Sequence, residues 1–350
     1  MQSSRREKPP LGVVFDSDMG SIDDALALGL LYGFDGKGEA RVAAVSLTRS
    51  NLSAAAFCEA VGRFYVSAAW GRFAAFARTL PIGLSTVGPM PGDQPMFTSP
   101  LAKLDAEGAP VYKHDIREIN DTAEVTALIR NALTAQHDQN SIIVLTGPAT
   151  NLAKVLDLSG AKDLIASKVR FLSLMGGAFP DGDPESNIKA DIAAAKKLFA
   201  EWPTPIVASG YEIGETLQFP ASGIEGGFSW APSHPIVDAY RAHKPMPYDA
   251  PAFDMTAVLY AVRPQEGYFK LSDPGTIGVL DDGRTNFTPS AEGKHRYLIF
   301  DPEQKDRIVK TLTEVASAKP APRRPRRLQQ QEPEKKQPES PQAKPPSSTQ

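Results

Sequence analysis

Short apolar runs alternate with stretches of helical periodicity along the first two-thirds of the chain. Leu11–Phe15 is apolar and ends in acidic residues, the pattern of a buried strand. Asp23–Phe34 (DDALALGLLYGF) follows with helical spacing and acids in its first turn. Arg41–Leu47 reads as a second strand, Leu52–Trp70 as a long helix and Ile82–Leu84 as a third, short strand. Pro89–Pro110 holds five prolines and two glycines and reads as loop. Thr122–Ala135 is helical, Ser141–Leu145 a strand, Asn151–Leu156 the start of a helix, and Val169–Met175 a strand ending in Gly176-Gly177. Asp191–Glu201 is again helical and Pro205–Ser209 a strand. This alternation with short connections predicts an α/β fold: a doubly wound, mostly parallel open sheet with helices on both faces. Such sheets bind ligands beyond the carboxyl ends of their strands. There the chain puts Asp16, Asp18, Asp23 and Asp24, then Ser50 and Asn51, then Thr146 and Asn151, then Glu185, Asn187 and Asp191. Asp254 stands just before the apolar helical run Met255–Val262.

Composition narrows the class. With 350 residues, 41% apolar and 23% charged, the chain is ordinary globular material for one large or two medium domains. No uninterrupted apolar run reaches about 18 residues, so no membrane-spanning helix is expected. Residues 1–10 form a polar N-terminal extension that is not a secretory signal as written, which places the protein in the cytoplasm unless its true start lies upstream. The single Cys58 excludes an internal disulfide and a Cys-rich zinc site, and it fits a helical core position. The net charge is −3, but residues 319–350 carry eight Lys or Arg against three Glu, leaving −8 on residues 1–318. An acidic body argues against a nucleic-acid partner. The Pro/Gln/Lys-rich tail has almost no large apolar residue to offset its ordering entropy, so residues 319–350 are expected to be disordered and residues 11–318 to form the folded domain.

The segment FDSDMGSIDDALAL puts four carboxylates at a strand-to-helix turn. Carboxylates that converge repel unless a cation or protons intervene. An all-oxygen set without His or Cys suits a hard cation, Ca²⁺ or Mg²⁺. Helix capping explains one or two of the four acids, but not an Asp at the end of an apolar strand with another two residues on.

DSDMGSIDDALAL resembles the N-terminal DxDxGxDD-type signature of the inosine–uridine-preferring nucleoside hydrolase family. LTGPATNLAKVL is similar to that family's TGPLTNLA segment, LMGGAF with ESNIKADIAAAKKLF to its MGG…EFNxxxDPEAA block, and FDMTAVLYAV to HDPLAVAY. Four segments in order make the likeness specific. The resemblance implies a Ca²⁺-dependent hydrolase that cleaves the N-glycosidic bond of a small-molecule ribonucleoside. It implies Asp18, Asp24, the Thr146 carbonyl and Asp254 as metal ligands, with Asp18 also the general base for the attacking water. It implies Asp23, Asn51, Glu185 and Asn187 on the ribose hydroxyls, Met175 lining the ribose pocket, and Asp16 orienting the site from behind. The oligomeric state is left open, a homo-oligomer included.

Three departures stand out. Four residues, Met19–Ile22, separate the second and third Asp where the family commonly has three. The stretch from Met175 to Glu185 is short and lacks a mid-loop Asn, for which Asp181 or Asp183 are the available substitutes. Phe253 stands where many members have the His associated with leaving-group protonation. A phenyl ring cannot donate a proton, though it can stack on a base or shield the pocket. The expectation is that natural nucleosides turn over more slowly than substrates with activated leaving groups, unless His234, His243 or Tyr240 supplies the proton. The five histidines lack metal spacing and read as surface or capping residues. Two rivals are a nucleoside- or sugar-binding relative without turnover and a DxD phosphatase using Asp16 as nucleophile with Mg²⁺.

Overall fold

The structure, a computed structural model, describes residues 9–87 and 92–323. Its strands are β1 (Leu11–Ser17), β2 (Ala40–Leu47), β3 (Ile82–Leu84), β4 (Ser141–Thr146), β5 (Val169–Met175), β6 (Ile206–Ser209), β7 (Gln218–Phe219), β8 (Ala250–Pro251), β9 (Lys270–Leu271), β10 (Gly275–Val279), β11 (Thr285–Pro289) and β12 (His295–Ile299). Ten of them form one sheet in the order β11-β10-β12-β6-β5-β4-β1-β2-β3, with β9 on β12; β7 and β8 pair separately. From β12 through β3 neighbours along this order run parallel, whereas β10 pairs antiparallel with β11 and β12. The order reverses at β1, so the crevice between the ends of β1 and β4 is the switch point where ligands bind in open α/β sheets.

Side-chain alternation along β1 divides the core. Val13 and Phe15 belong to a cluster with α1 (Ile22–Lys37) and α2 (Leu52–Trp70), while Val14 belongs to one on the other face with Leu128, Leu152 and Leu198. The α1 residues from Ile22 to Phe34 are all buried, so this helix is apolar around its circumference and lies inside its layer. Each fully buried Leu on it, such as Leu26 or Leu30, contributes roughly 1.5–3 kcal/mol. Gly33 is required there: a Cβ would lie 1.9 Å from the Val315 carbonyl oxygen of the helix Lys305–Ala316.

Two features differ from the sequence pattern. The proline-rich stretch holds a helix, α3 (Pro95–Leu101), because Pro95 occupies its first turn and buried Met96 and Phe97 anchor it, Phe97 packing 5.2 Å from the Phe57 ring. The C-terminal third adds antiparallel strands that carry little periodicity of their own. Pro320 is buried, Arg323 N–H donates to the Ala69 carbonyl at 2.7 Å, and the Arg323 guanidinium pairs with Asp35. The chain thus stays packed through Arg323. Residues 324–350, most of the tail read as disordered, and residues 1–8 of the N-terminal extension lie outside the described residues. Among the described residues no helix is long and apolar enough to cross a membrane.

Candidate active site

β1 leaves the sheet at Ser17 and the chain turns through Met19, which is fully buried with φ 45°. A non-glycine residue in the left-handed region costs about 1–3 kcal/mol, a strain that gathers at functional sites. Across this four-residue connection Asp24, in the first turn of α1, reaches back to the Gly20 and Ser21 N–H groups, both at 3.0 Å. Ser17 Oγ donates to its other oxygen at 2.6 Å.

Strand register then assembles the crevice. Asp16 pairs with Leu145 and Ser17 with Thr146 across β1 and β4, while Asp16 pairs with Ser46 across β1 and β2. Asp16 Oδ1 accepts from Ser46 Oγ at 2.6 Å and Asn151 Nδ2 at 2.9 Å; its Oδ2 is buried without a partner. Gly147 lets the backbone close in, since a Cβ there would sit 2.7 Å from the Asp18 nitrogen. The helix Phe253–Val262 delivers Asp254, whose N–H donates to Asp23 Oδ2 at 3.4 Å. Asp23, Asp24 and Asp254 each offer an oxygen within 4.8 Å of the others, and all three are buried. Thr146 is buried beside them, its Oγ1 donating to Asp24 at 3.4 Å. Asp18 is held differently: its Oδ1 accepts from Gly20 N–H at 2.9 Å and its Oδ2 pairs with Arg49 at 2.6 Å. Sequence reasoning missed Arg49; a lone arginine after a strand carries no signal until the fold brings it to Asp18.

Burial pushes the carboxyls of Asp16, Asp18, Asp23, Asp24 and Asp254 above their ordinary range, Asp16 to about 7. Asp24 and Asp254 rise furthest, because neighbouring carboxylates add repulsion to desolvation. Among the described residues Arg49 is the one cation paired to this group. A second positive charge fits the site: the donors are hard oxygens, the oxygens converge, and a buried Asp16 oxygen is unsatisfied. The metal-free protein should therefore weaken as pH rises. A carboxyl at about 7 in the folded state against 3.8 unfolded contributes stability that is complete at low pH and is lost as pH climbs through 7. Melting in chelator is expected to fall from pH 5 to pH 8, with added Ca²⁺ recovering the loss at pH 8. A flat or rising profile in chelator contradicts this.

The opposite wall comes from the β5 exit. Glu185 caps the short helix Ser186–Ala190, accepting from Asn187 N–H at 2.9 Å and Ile188 N–H at 3.1 Å, and also from Gly177 N–H at 3.2 Å. Asn187 Nδ2 donates to the Met175 carbonyl at 3.3 Å. Asn51 caps α2 through its Oδ1, which accepts from Ala54 N–H at 3.0 Å, and leaves a buried Nδ2 without a partner. Asp181 and Asp183 are exposed.

Phe253 stacks on Tyr211, their rings 5.1 Å apart and 26° from parallel. Of the three groups considered as replacements for its missing proton, His234 and Tyr240 are engaged elsewhere, and His243 is exposed at the C-terminal end of the helix Pro235–His243. His234 is buried among Phe64, Tyr65, Phe228 and Trp230, and burial pushes it down to about 3. Tyr65 stacks on Tyr32, nine residues along α1 from Asp23, about 13 Å of helix. Tyr240 and Tyr248 exchange hydroxyl-to-carbonyl hydrogen bonds at 2.6 and 2.7 Å. His243 lies 6.2 Å from the Tyr248 ring. His234 does cap a helix, but it and His295 are buried, not surface residues. Cys58 is fully buried and burial pushes its thiol up, which keeps it protonated and inert.

Fold and crevice together define an α/β protein with a mostly parallel sheet and a cluster of buried carboxylates, able to hold a cation, at the strand ends. The inosine-uridine preferring nucleoside hydrolase family matches residues 13–319. A plant nucleoside hydrolase structure is 20% identical, covering 89% of this chain and 100% of its own, with a TM-score of 0.61. The inosine-uridine preferring nucleoside hydrolase from Bacillus anthracis is 17% identical, covering 88% and 99%, at 0.61. The purine-preferring ribonucleoside hydrolase from Gardnerella vaginalis is 17% identical, covering 87% and 98%, at 0.62. No curated protein matches the sequence significantly. The chain belongs to the inosine-uridine preferring nucleoside hydrolase family, and its class is N-glycosyl hydrolase.

Proposed function

We propose that this protein is a Ca²⁺-dependent hydrolase that splits ribonucleosides into ribose and free base, for purine or pyrimidine salvage. The observation that carries the reading is the set of buried carboxylates at the sheet's switch point in a chain of this family. Asp18, Asp24, the Thr146 carbonyl and Asp254 would hold the ion, with Asp23 close enough to join them. Bound Ca²⁺ would supply polarisation of the attacking water and orientation of the ribose hydroxyls. Asp18 takes the proton of that water as general base. Breaking the bond at C1′ builds positive charge on the ribose ring, which the Asp and Glu oxygens stabilise. Asp23, Asn51, Glu185 and Asn187 read the ribose hydroxyls, Met175 lines the sugar pocket, and Phe253 closes it. The Asn51 Nδ2 left without a partner supports its role as a donor to substrate. Asp16, tied to Ser46 and Asn151, orients the site.

The deciding measurement is reducing-sugar release across a nucleoside panel with and without chelator. Chelator-sensitive release is expected; binding without release favours the relative that lacks turnover, and phosphate release from phosphomonoesters favours the phosphatase. The same assay tests ribose recognition. A 2′-deoxynucleoside leaves the buried Asn and Glu groups without partners, and kcat/KM is expected to fall by about 10²-fold or more. Equal turnover of deoxy and ribo substrates rejects the ribose assignment.

A further inference from the structure

We infer that the departing base enters the pocket at the ends of β2 and β3, and that Arg49 carries the negative charge developing on that base. The inference rests on the nucleoside hydrolase reading and adds to it a leaving-group site.

The matched position offers Phe253, His234 and Tyr240 are engaged elsewhere, and His243 is exposed beside the Tyr248 ring. Arg49 is the cation at the reacting end. Its Nη2 lies 2.6 Å from Asp18 Oδ2, and its side chain is 43% exposed against 7% for Asp18. A guanidinium carries five N–H donors in a plane, so on this partly exposed side chain one ion pair leaves others free to donate.

The neighbouring residue, Ser50, lines a cavity of about 350 Å³, within the range of small-molecule sites. Leu52, Leu84 and Ile119 supply apolar walls, while Ser50, Asn120 and the oppositely charged Arg117 and Glu118 supply polar edges. A planar heteroaromatic base has this same division of apolar faces and polar rim. Asn51, flanked in the chain by the cavity-lining Ser50 and Leu52, keeps a buried Nδ2 without a partner. Three consecutive residues thus carry three things: Arg49 the pair to the proposed general base, Ser50 part of the cavity lining, and Asn51 an unsatisfied donor for the sugar.

The step balances without a side-chain acid. Water oxygen bonds to C1′ and its proton passes to Asp18. The C1′–N bond breaks with its electron pair going to the base nitrogen. Arg49 keeps its proton and donates hydrogen bonds to the anionic base, which takes a proton from solvent in the open cavity.

The test compares Arg49→Gln and Arg49→Lys on inosine, uridine and p-nitrophenyl riboside. Removing a donor aimed at developing charge costs about 10²–10³-fold in kcat. Arg49→Gln is expected to lose that on the natural substrates and less than about tenfold on the activated one, with Arg49→Lys recovering part. Equal losses on all three would assign Arg49 to Asp18 alone and overturn the inference. Ile119→Trp, at an exposed wall position, is expected to raise KM for nucleosides about tenfold while inhibition by free ribose stays unchanged. Unchanged KM places the base elsewhere and also overturns it. A wild-type protein that releases ribose from no nucleoside overturns both this inference and the hydrolase reading.

Discussion

Asp18→Asn is expected to lower kcat for ribonucleoside hydrolysis by about 10²–10⁴-fold, the range for loss of a positioned general base. The substitution keeps the shape of the side chain and an oxygen that can still accept the Gly20 N–H, so the turn after β1 should persist. It removes the charge paired with Arg49, whose side chain is exposed enough to find water instead. In chelator, where no ligand of the ion is at stake, the melting temperature should therefore change little, while turnover in Ca²⁺ collapses. Steady-state kinetics with a melting curve on the same preparation separates the two. A variant that keeps kcat within about tenfold of wild type removes Asp18 from the role of base.

Asp254→Ala should divide function from stability in a different way. Asp254 is buried against Asp23 and Asp24, and their mutual repulsion adds to desolvation in holding its carboxyl well up. Deleting it relieves that repulsion, so in chelator the variant should melt no lower than wild type near neutral pH. With Ca²⁺ the order should reverse, because wild type gains binding free energy that the variant has lost. Calcium affinity is expected to fall by about 10²-fold or more, taking turnover with it. Elemental analysis and a calcium titration followed by melting provide the check. A variant that retains the metal yet unfolds earlier in chelator would mean that Asp254 serves packing instead.

Much of the frame was legible because its signals are local. The ranges Leu52–Trp70, Ile82–Leu84 and Val169–Met175 read from periodicity are the observed α2, β3 and β5. Burial on one or both faces writes itself into consecutive residues, so an apolar run or a helical stripe needs no knowledge of its partner. The acidic segment after β1 announced its chemistry for the same reason, since four carboxylates in one turn repel wherever the turn lies. The helix Pro95–Leu101 was hidden because prolines that usually mark a loop here sit in and near a short helix stabilised by contacts with α2.

By itself, then, the sequence determined the α/β alternation, the strand-end carboxylates and the family to which they belong. The tertiary structure decided which of those groups meet. Asp23 and Asp254 are separated by 231 positions and touch because the helix starting at Phe253 packs beside α1. Asp16 and Ser46 meet through the register of β1 on β2, and Arg49 reaches Asp18 from the end of that same β2. His234 had the right chemistry for a proton donor and the wrong place, buried in an aromatic cluster far along α1. Residue type and spacing state what a side chain can do, whereas charge pairing and desolvation depend on distances of a few ångströms between segments that only packing brings together.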